Sequence, residues 1–258
     1  MLTNTSIGRY GRFGNQLYQV AALCAIARRS GQPWALPRWV NHDHVERFGS
    51  TEDVNIWDRL TNPLPELPVP CNLVFTPKWV PWGYHDVTFP NGNFDLSGHF
   101  QSPRYFDFCI DEVRRVLSFK DTSSQMDAIA VHMRCGDYTD GAETYHPRMT
   151  ADYYREAFKH VPDVPVLLFS DDIMTAERVI RNATGRPFES VVGRHYVDDF
   201  IAMRQCKYHI ISNSSYSAMA ATLADQPDKK VVAPRLWFGA AAGGLSGADI
   251  YEKNWIII

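Results

Sequence analysis

A chain of 258 residues with 45% hydrophobic and 21% charged residues has the composition of an ordinary globular protein, long enough for two modest α/β domains or one large one. A formal net charge of -3 and a pI of about 6.3 argue against nucleic acid or an anionic membrane as the main partner, yet leave room for a local basic pocket that holds phosphate. The 5 cysteines, Cys24, Cys71, Cys109, Cys135 and Cys206, are odd in number and scattered, so they read as free thiols and not as a disulfide framework, and no metal-ligand spacing is present.

The chain opens on a short β-like entry, followed by a glycine-bearing turn from Gly11 to Gly14 and a helix over 17–29 closed by Gly31. Backbone amides of such a turn at a helix N-terminus can hold a phosphate or a sugar hydroxyl, and Asn15 and Gln16 add side-chain donors. A tight turn alone also accounts for the glycines. The apolar run over 20–27 is too short to span a bilayer, lacks a basic leader and is followed by Arg28 and Arg29, so it reads as a helix of a soluble domain.

From Pro33 to about Asn93, the prolines at 63, 65, 68, 70, 77 and 81 exclude central strands and helix interiors, and the segment reads as extended and irregular. Five of the 7 tryptophans, Trp34, Trp39, Trp57, Trp79 and Trp82, fall in this first third. Indole packs on the C–H faces of sugars, so some of them suit an acceptor cleft; core filling is the alternative for each. A helix follows over 111–117. The polar stretch over 120–125 then reads as the boundary between an N-terminal domain, 1–122, and a second domain, 123–258.

The second half alternates. Strands are expected over 128–134, 165–169, near Val191, over 208–211 and over 231–233. Helices are expected over 151–159, 175–181, 198–206 and 215–224, with Thr150 and Asp198 as N-caps. That pattern predicts a parallel sheet flanked by helices. The run Ala128-Ile129-Ala130-Val131 leads into His132-Met133-Arg134-Cys135-Gly136-Asp137-Tyr138. Two later runs lead likewise into Ser170-Asp171-Asp172 and Ser212-Asn213-Ser214-Ser215. Parallel strands share one carboxyl edge, so an arginine, carboxylates and a serine cluster converge there as a site for an anionic, hydrogen-bonding ligand.

The strand-borne His-x-Arg with Gly-Asp-Tyr, the Phe-Ser-Asp-Asp and the Asn-Ser-Ser-Tyr-Ser resemble the α-1,2-fucosyltransferase family, glycosyltransferase family 11. The resemblance extends to Gly11-Arg12-Phe13-Gly14-Asn15-Gln16, to Gly98-His99-Phe100-Gln101-Ser102 with Tyr105-Phe106, and to Ala233-Pro234-Arg235-Leu236-Trp237-Phe238, in order along nearly the whole chain. It implies a GT-B-like α/β architecture of two Rossmann-like domains facing each other across a cleft. The acceptor-side domain is then 1–122 and the donor-binding domain 123–258. The implied activity is an inverting, metal-independent transfer of fucose from GDP-fucose to a glycan acceptor, with no cofactor. Animal members of the family carry an N-terminal membrane anchor; none is recognised here, and the expected place is the cytoplasm.

Negative charge grows on the diphosphate as the glycosidic bond breaks, and a fixed guanidinium meets that need best. Arg134 is expected in that role; pairing with Asp137 or Asp140 is its structural alternative. His132 is expected on the diphosphate or ribose, or orienting Arg134. The resemblance gives Asp171 and Asp172 to the nucleoside, with helix capping as the alternative. Ser214 and Ser215, opening a helix, suit phosphate, again with capping as the alternative, and Asn213, Gly14, Asn15 and Gln16 complete the expected donor-binding set. The base for the acceptor hydroxyl is sought among Asp137, Asp140, Glu143 and His146, with Asp137 carrying the matched motif. The family pattern usually has a second arginine where this chain has Cys135, and Arg235, Arg104 and Lys207 are possible substitutes. It often has two tryptophans where Ala218 and Met219 stand.

Two rivals remain in view, a glycosyltransferase using another GDP-sugar and a non-catalytic nucleotide-sugar or glycan-binding protein. A dinucleotide-dependent dehydrogenase does not fit, because the Gly11–Gly14 spacing is not the dinucleotide fingerprint.

Overall fold

The structure, a computed structural model, describes residues 1–48, 55–68, 71–120, 124–135 and 144–258. The chain divides into two compact units, Met1–Asp121 and Thr122–Ile258.

The first unit is organised around α1 (Phe13–Arg29), in which every residue from Gln16 to Ala27 is buried. A helix apolar on nearly all sides belongs inside a core. It begins four residues before the expected start, because Gly11 at φ +77 makes the turn by itself and Arg12 already takes the extended N-cap conformation. Beyond its basic last turn, Gly31 at φ +63 supplies the left-handed residue that lets Gln32 N–H return to the Ala27 carbonyl. Three short strands, β1 (Leu2–Thr3), β2 (Thr76–Trp79) and β3 (Phe94–Ser97), form a parallel sheet in the order β1-β3-β2. Pro77 is tolerated in β2 because β2 is an edge strand. Two further helices, α2 (His42–Phe48) and α3 (Ile110–Val116), complete the regular structure described in this unit apart from short 3-10 turns.

The second unit alternates strand and helix as expected. Its strands are β4 (Met126–Met133), β5 (Val166–Ser170), β6 (Glu189–Ser190), β7 (Cys206–Ile210), β8 (Lys230–Ala233) and β9 (Ile256–Ile257). All pair in parallel, in the order β6-β5-β4-β7-β8-β9. The helices are α4 (Ala151–Ala157), α5 (Ile173–Ala183), α6 (Tyr196–Gln205) and α7 (Ser215–Leu223). Strand order runs outward in both directions from β4 and β7, which makes their carboxyl ends the topological switch point of a Rossmann-like sheet. Ile129, Val131, Leu168, Ile210 and Val232 fill one face of this sheet, packed with Tyr154, Phe158 and Ile180 from the helices.

Thr150 caps α4 by accepting from Tyr153 N–H. The cap of α6 is His195, not Asp198: its Nδ1 accepts from Val197 N–H at 3.3 Å, and Asp198 and Asp199 fall inside the first turn. β9 is an addition to the expected set. No helix among the described residues is long and apolar enough to cross a membrane.

Candidate functional site

At the carboxyl end of β4 the chain passes from buried His132 and Met133 to half-buried Arg134, next to the end of β5, where Met133 is in register with Ser170. Arg134 Nη1 lies 2.7 Å from Asp171 Oδ2, and the Cys135 backbone N–H donates to Asp171 Oδ1 at 2.8 Å. One carboxylate thus holds both the guanidinium and the backbone that carries it, so the cation is oriented at the strand end. Asp172 does a different job. Its carboxylate accepts from Thr175 N–H at 3.1 Å and caps α5, a bond that lowers its pKa. The adjacent acids therefore divide their work, one on Arg134 and one on a helix.

His132 bridges the switch point. Its Nδ1 lies 2.9 Å from Ser212 Oγ, just past β7, and 2.9 Å from Ser217 Oγ in α7, while its carbonyl accepts from Tyr154 OH at 2.9 Å. Burial pushes its pKa down to about 4 against the opposing pull of the Asp171 carboxylate, so the ring is neutral near pH 7. A neutral imidazole clamped by two serines positions β4 against α7. Asn213 spans two loops, its Nδ2 donating to the Pro147 carbonyl at 2.9 Å and the Trp237 carbonyl at 3.1 Å. Ser214 is the N-cap residue of α7, yet its side chain makes no capping bond; Ser215 opens the helix half-buried.

Cys135 is buried, its thiol pushed up to about 11 chiefly by burial, and Ser170 Oγ lies 3.8 Å from its sulfur. Sequence reasoning missed Arg148, whose Nη2 stands 3.5 Å from the Cys135 carbonyl and whose charge acts on both Cys135 and Asp172. It also missed Ser212, Ser217 and Tyr154 as partners of His132. The cations named as substitutes stand elsewhere. Arg235 is exposed and donates to the Ile257 carbonyl, Lys207 lies at the amino end of β7, and Arg104 stacks on Tyr84 in the first unit, 4.0 Å from its ring. Asp137, Asp140 and Glu143 lie outside the described residues. His146 packs its ring against Tyr145 and Phe238. Among the described residues no group of three or more His, Cys, Asp or Glu side chains gathers as a metal-ligand set.

In the first unit, the Gly11–Gly14 turn and the 98–102 segment are tied together. Tyr10 OH lies 2.9 Å from His99 Nε2, and Gln101 Nε2 donates to Asn15 Oδ1. A Cβ at Gly11 would meet Asn15 Nδ2 at 2.4 Å, so the turn closes tightly over Asn15. Gly14 is buried within the first turn of α1. Gln16 is fully buried: its Nε2 donates to the Gly11 carbonyl at 2.7 Å and to Asn41 Oδ1 at 2.8 Å, and its Oε1 accepts from Trp39 Nε1 at 2.7 Å. Both donors and the acceptor are engaged in the core, which leaves Asn15 as the half-buried amide of the pair.

The sequence model described as glycosyl transferase family 11 matches residues 2–258. The O-antigen biosynthesis glycosyltransferase WbnK of Escherichia coli is 36% identical over 137 residues, which is 49% of this chain and 43% of that protein. The alpha-1,2-colitosyltransferase of Escherichia coli is 26% identical over 185 residues, 65% of this chain and 63% of that protein. The matched stretches cover less than two thirds of either relative. Among solved structures, apo POFUT1 aligns with a TM-score of 0.49 at 11% identity over 90% of this chain and 97% of that one. The fucosyltransferase NodZ from Bradyrhizobium aligns at 0.46 and 15% identity, over 85% and 90% of the two chains.

Proposed function

The chain belongs to glycosyl transferase family 11, and on that premise we propose that it moves fucose from GDP-fucose to a sugar hydroxyl, forming an α-1,2 linkage to galactose or a related sugar with inversion. The second unit takes the donor and the first the acceptor. The observation that supports this reading is Arg134 at the switch point, its guanidinium on one oxygen of Asp171 while the other oxygen holds the Cys135 backbone N–H. A guanidinium already oriented before the bond breaks stabilises the diphosphate as its charge grows, at no cost of reorganisation in the transition state. In this reading Arg134 supplies the cation and no metal ion is needed. His132 positions the strand end, Asn213 ties the loops beside it, and the start of α7 with Ser214 and Ser215 is assigned to the phosphates. The base for the acceptor hydroxyl is sought on the loop after β4, Asp137 first.

One relative is named an alpha-1,2-colitosyltransferase, and Cys135 stands where the family pattern has a second arginine. Together they favour a second reading, another GDP-linked sugar as donor. A panel of nucleotide sugars, with GDP or UDP release followed in the presence and absence of simple galactosides, separates the two. Release of GDP from GDP-fucose, stimulated by a galactoside and persisting in excess chelator, is expected. Preference for a different GDP-sugar moves the assignment to the second reading. GDP binding with no turnover of any donor rejects both.

A further inference from the structure

The carboxyl edge of the first unit's parallel sheet carries a ring cluster that the donor chemistry leaves unused. β2 ends at Trp79, β3 runs into Gly98-His99, and Tyr10 follows β1 just before the glycine turn. Trp79 meets Tyr10 edge-on with centroids 5.7 Å apart. Tyr10 lies 4.8 Å from the His99 ring, with its hydroxyl 2.9 Å from Nε2, and Trp82 meets the other side of the cluster 5.7 Å from His99. Trp39, by contrast, is wholly buried, as a core residue should be, whereas Trp79 is 58% exposed.

The backbone beneath His99 is unusual on both sides. Gly98 holds φ +154 so close to its neighbour that a Cβ would meet the Val80 carbonyl oxygen at 2.6 Å, and Phe100, which is not glycine, holds φ +52. Phe100 is kept there by burial and an edge-on contact with Tyr105 at 5.5 Å. Strain of this kind persists where the surroundings over-determine it, and it concentrates at ligand sites. The carboxyl edge of a parallel sheet is also where α/β units receive ligands. Among the side chains of the cluster none carries a fixed charge, and burial lowers the His99 pKa, which keeps the imidazole neutral at physiological pH. Such a surface suits a neutral ligand with one apolar and one hydroxylated side.

We propose that Tyr10, Trp79, Trp82 and His99 form the platform on which the acceptor sugar lies, an uncharged galactose-type pyranose with its C–H face on Trp79 and its hydroxyls on the Tyr10–His99 pair. The word acceptor rests on the glycosyltransferase reading; the binding of a neutral glycoside does not, and is tested without any donor. Saturation-transfer NMR and tryptophan-fluorescence titration with methyl β-galactoside and lactose are applied to the wild type, Trp79→Ala, Trp79→Phe and His99→Gln. GDP affinity is measured by calorimetry on the same samples. Glycoside binding by the wild type is expected, weakened about tenfold in Trp79→Ala and largely recovered in Trp79→Phe, with GDP affinity unchanged. His99→Gln is expected to weaken the glycoside and not GDP. Absence of glycoside binding in the wild type, or equal affinity in Trp79→Ala, overturns the platform, and so does a loss of GDP affinity in Trp79→Ala, which would make the ring a donor contact. Glycoside binding that depends on Trp79 in a protein that turns over no nucleotide sugar upholds the platform while rejecting the transfer reading.

Discussion

The two units present the same structural opportunity, the carboxyl edge of a parallel sheet, and fill it with opposite chemistry. In the second unit the edge carries Arg134, Asp171, Arg148 and a serine-clamped histidine; in the first it carries Tyr10, Trp79, Trp82 and His99. One set has fixed charge held by short ion-pair and amide contacts. The other has ring faces and a single neutral hydrogen-bonding pair. Topology puts both sets on a carboxyl edge, and side-chain chemistry distinguishes them: under the proposals above, an anion that gains charge during reaction suits one and an uncharged polyol the other.

The sharpest way to break this contrast is to remove the charge from the second edge. Arg134→Ala is expected to lower turnover by about 10² to 10³, as loss of a preorganised donor does, and to weaken GDP binding strongly with a modest change in melting temperature. Arg134→Lys should recover little, because an ammonium lacks the guanidinium fork. If calorimetry shows wild-type GDP affinity in a folded Arg134→Ala protein, Arg134 serves only Asp171 and the anion site lies elsewhere.

A smaller effect is expected at Arg148, which approaches the same strand end through the Cys135 carbonyl. A charge-assisted hydrogen bond is worth about 1.5 to 3 kcal/mol, so Arg148→Ala should weaken GDP by about tenfold or more if its guanidinium faces the diphosphate. Guanosine, which has no phosphate, should bind the variant and the wild type equally. Parallel losses for GDP and guanosine would reduce Arg148 to a framework residue of the loop.

Acid should bear harder on the second unit, although burial lowers His99 in the first as well. Burial pushes His132 down to about 4 and, with help from Lys229, His209 down to about 3, and both belong to the second unit. The unfolded chain takes up these protons near the ordinary histidine value of 6.5, so between that pH and about 4 it binds more protons than the folded chain. The stabilisation from keeping the rings neutral is complete above pH 6.5 and is lost as pH falls through that window. Thermal unfolding followed from neutral pH down to about 4.5 should show the decline, and His209→Asn should flatten it. A slope unchanged in that variant would place the acid sensitivity on other groups.

How much of this was legible follows from what each signal requires. The strands β4, β5 and β7 announce themselves as apolar runs that stop at polar residues, and parallel pairing then brings Arg134 and Asp171 to one edge. What sequence could not supply is Asp171 as a partner of Arg134, since it comes from the neighbouring strand; Asp137 and Asp140 lie outside the described residues. Gln16 reads as a free amide until Trp39 and Asn41 fold onto it. Composition could not sort buried Trp39 from exposed Trp79, because both lie in the same irregular, proline-rich third. Arg148 carries no motif at all and is brought to the edge by tertiary contact alone. β9 is the first two residues of a three-residue isoleucine run, too short for any periodicity to appear.

The smallest expected effect tests whether the two neighbouring acids really differ. Asp172 bonds the Thr175 amide and Asp171 bonds Arg134 and the Cys135 amide, although sequence alone makes them interchangeable. Losing an N-cap costs about 1 kcal/mol, so Asp172→Ala should lower the melting temperature by a few degrees and leave GDP affinity within error. Asp172→Asn should restore most of the stability, since an asparagine oxygen caps as well as a carboxylate. Asp171→Asn should do the reverse. It keeps the shape and one acceptor for the Cys135 amide, but it removes the charge that orients Arg134, so GDP binding and turnover should fall while stability changes little. If instead Asp172→Ala weakens GDP and Asp171→Asn does not, the nucleoside is held by the acid assigned here to the helix, and the Arg134–Asp171 pair is a structural bond between β4 and β5 with the anion site displaced toward α5.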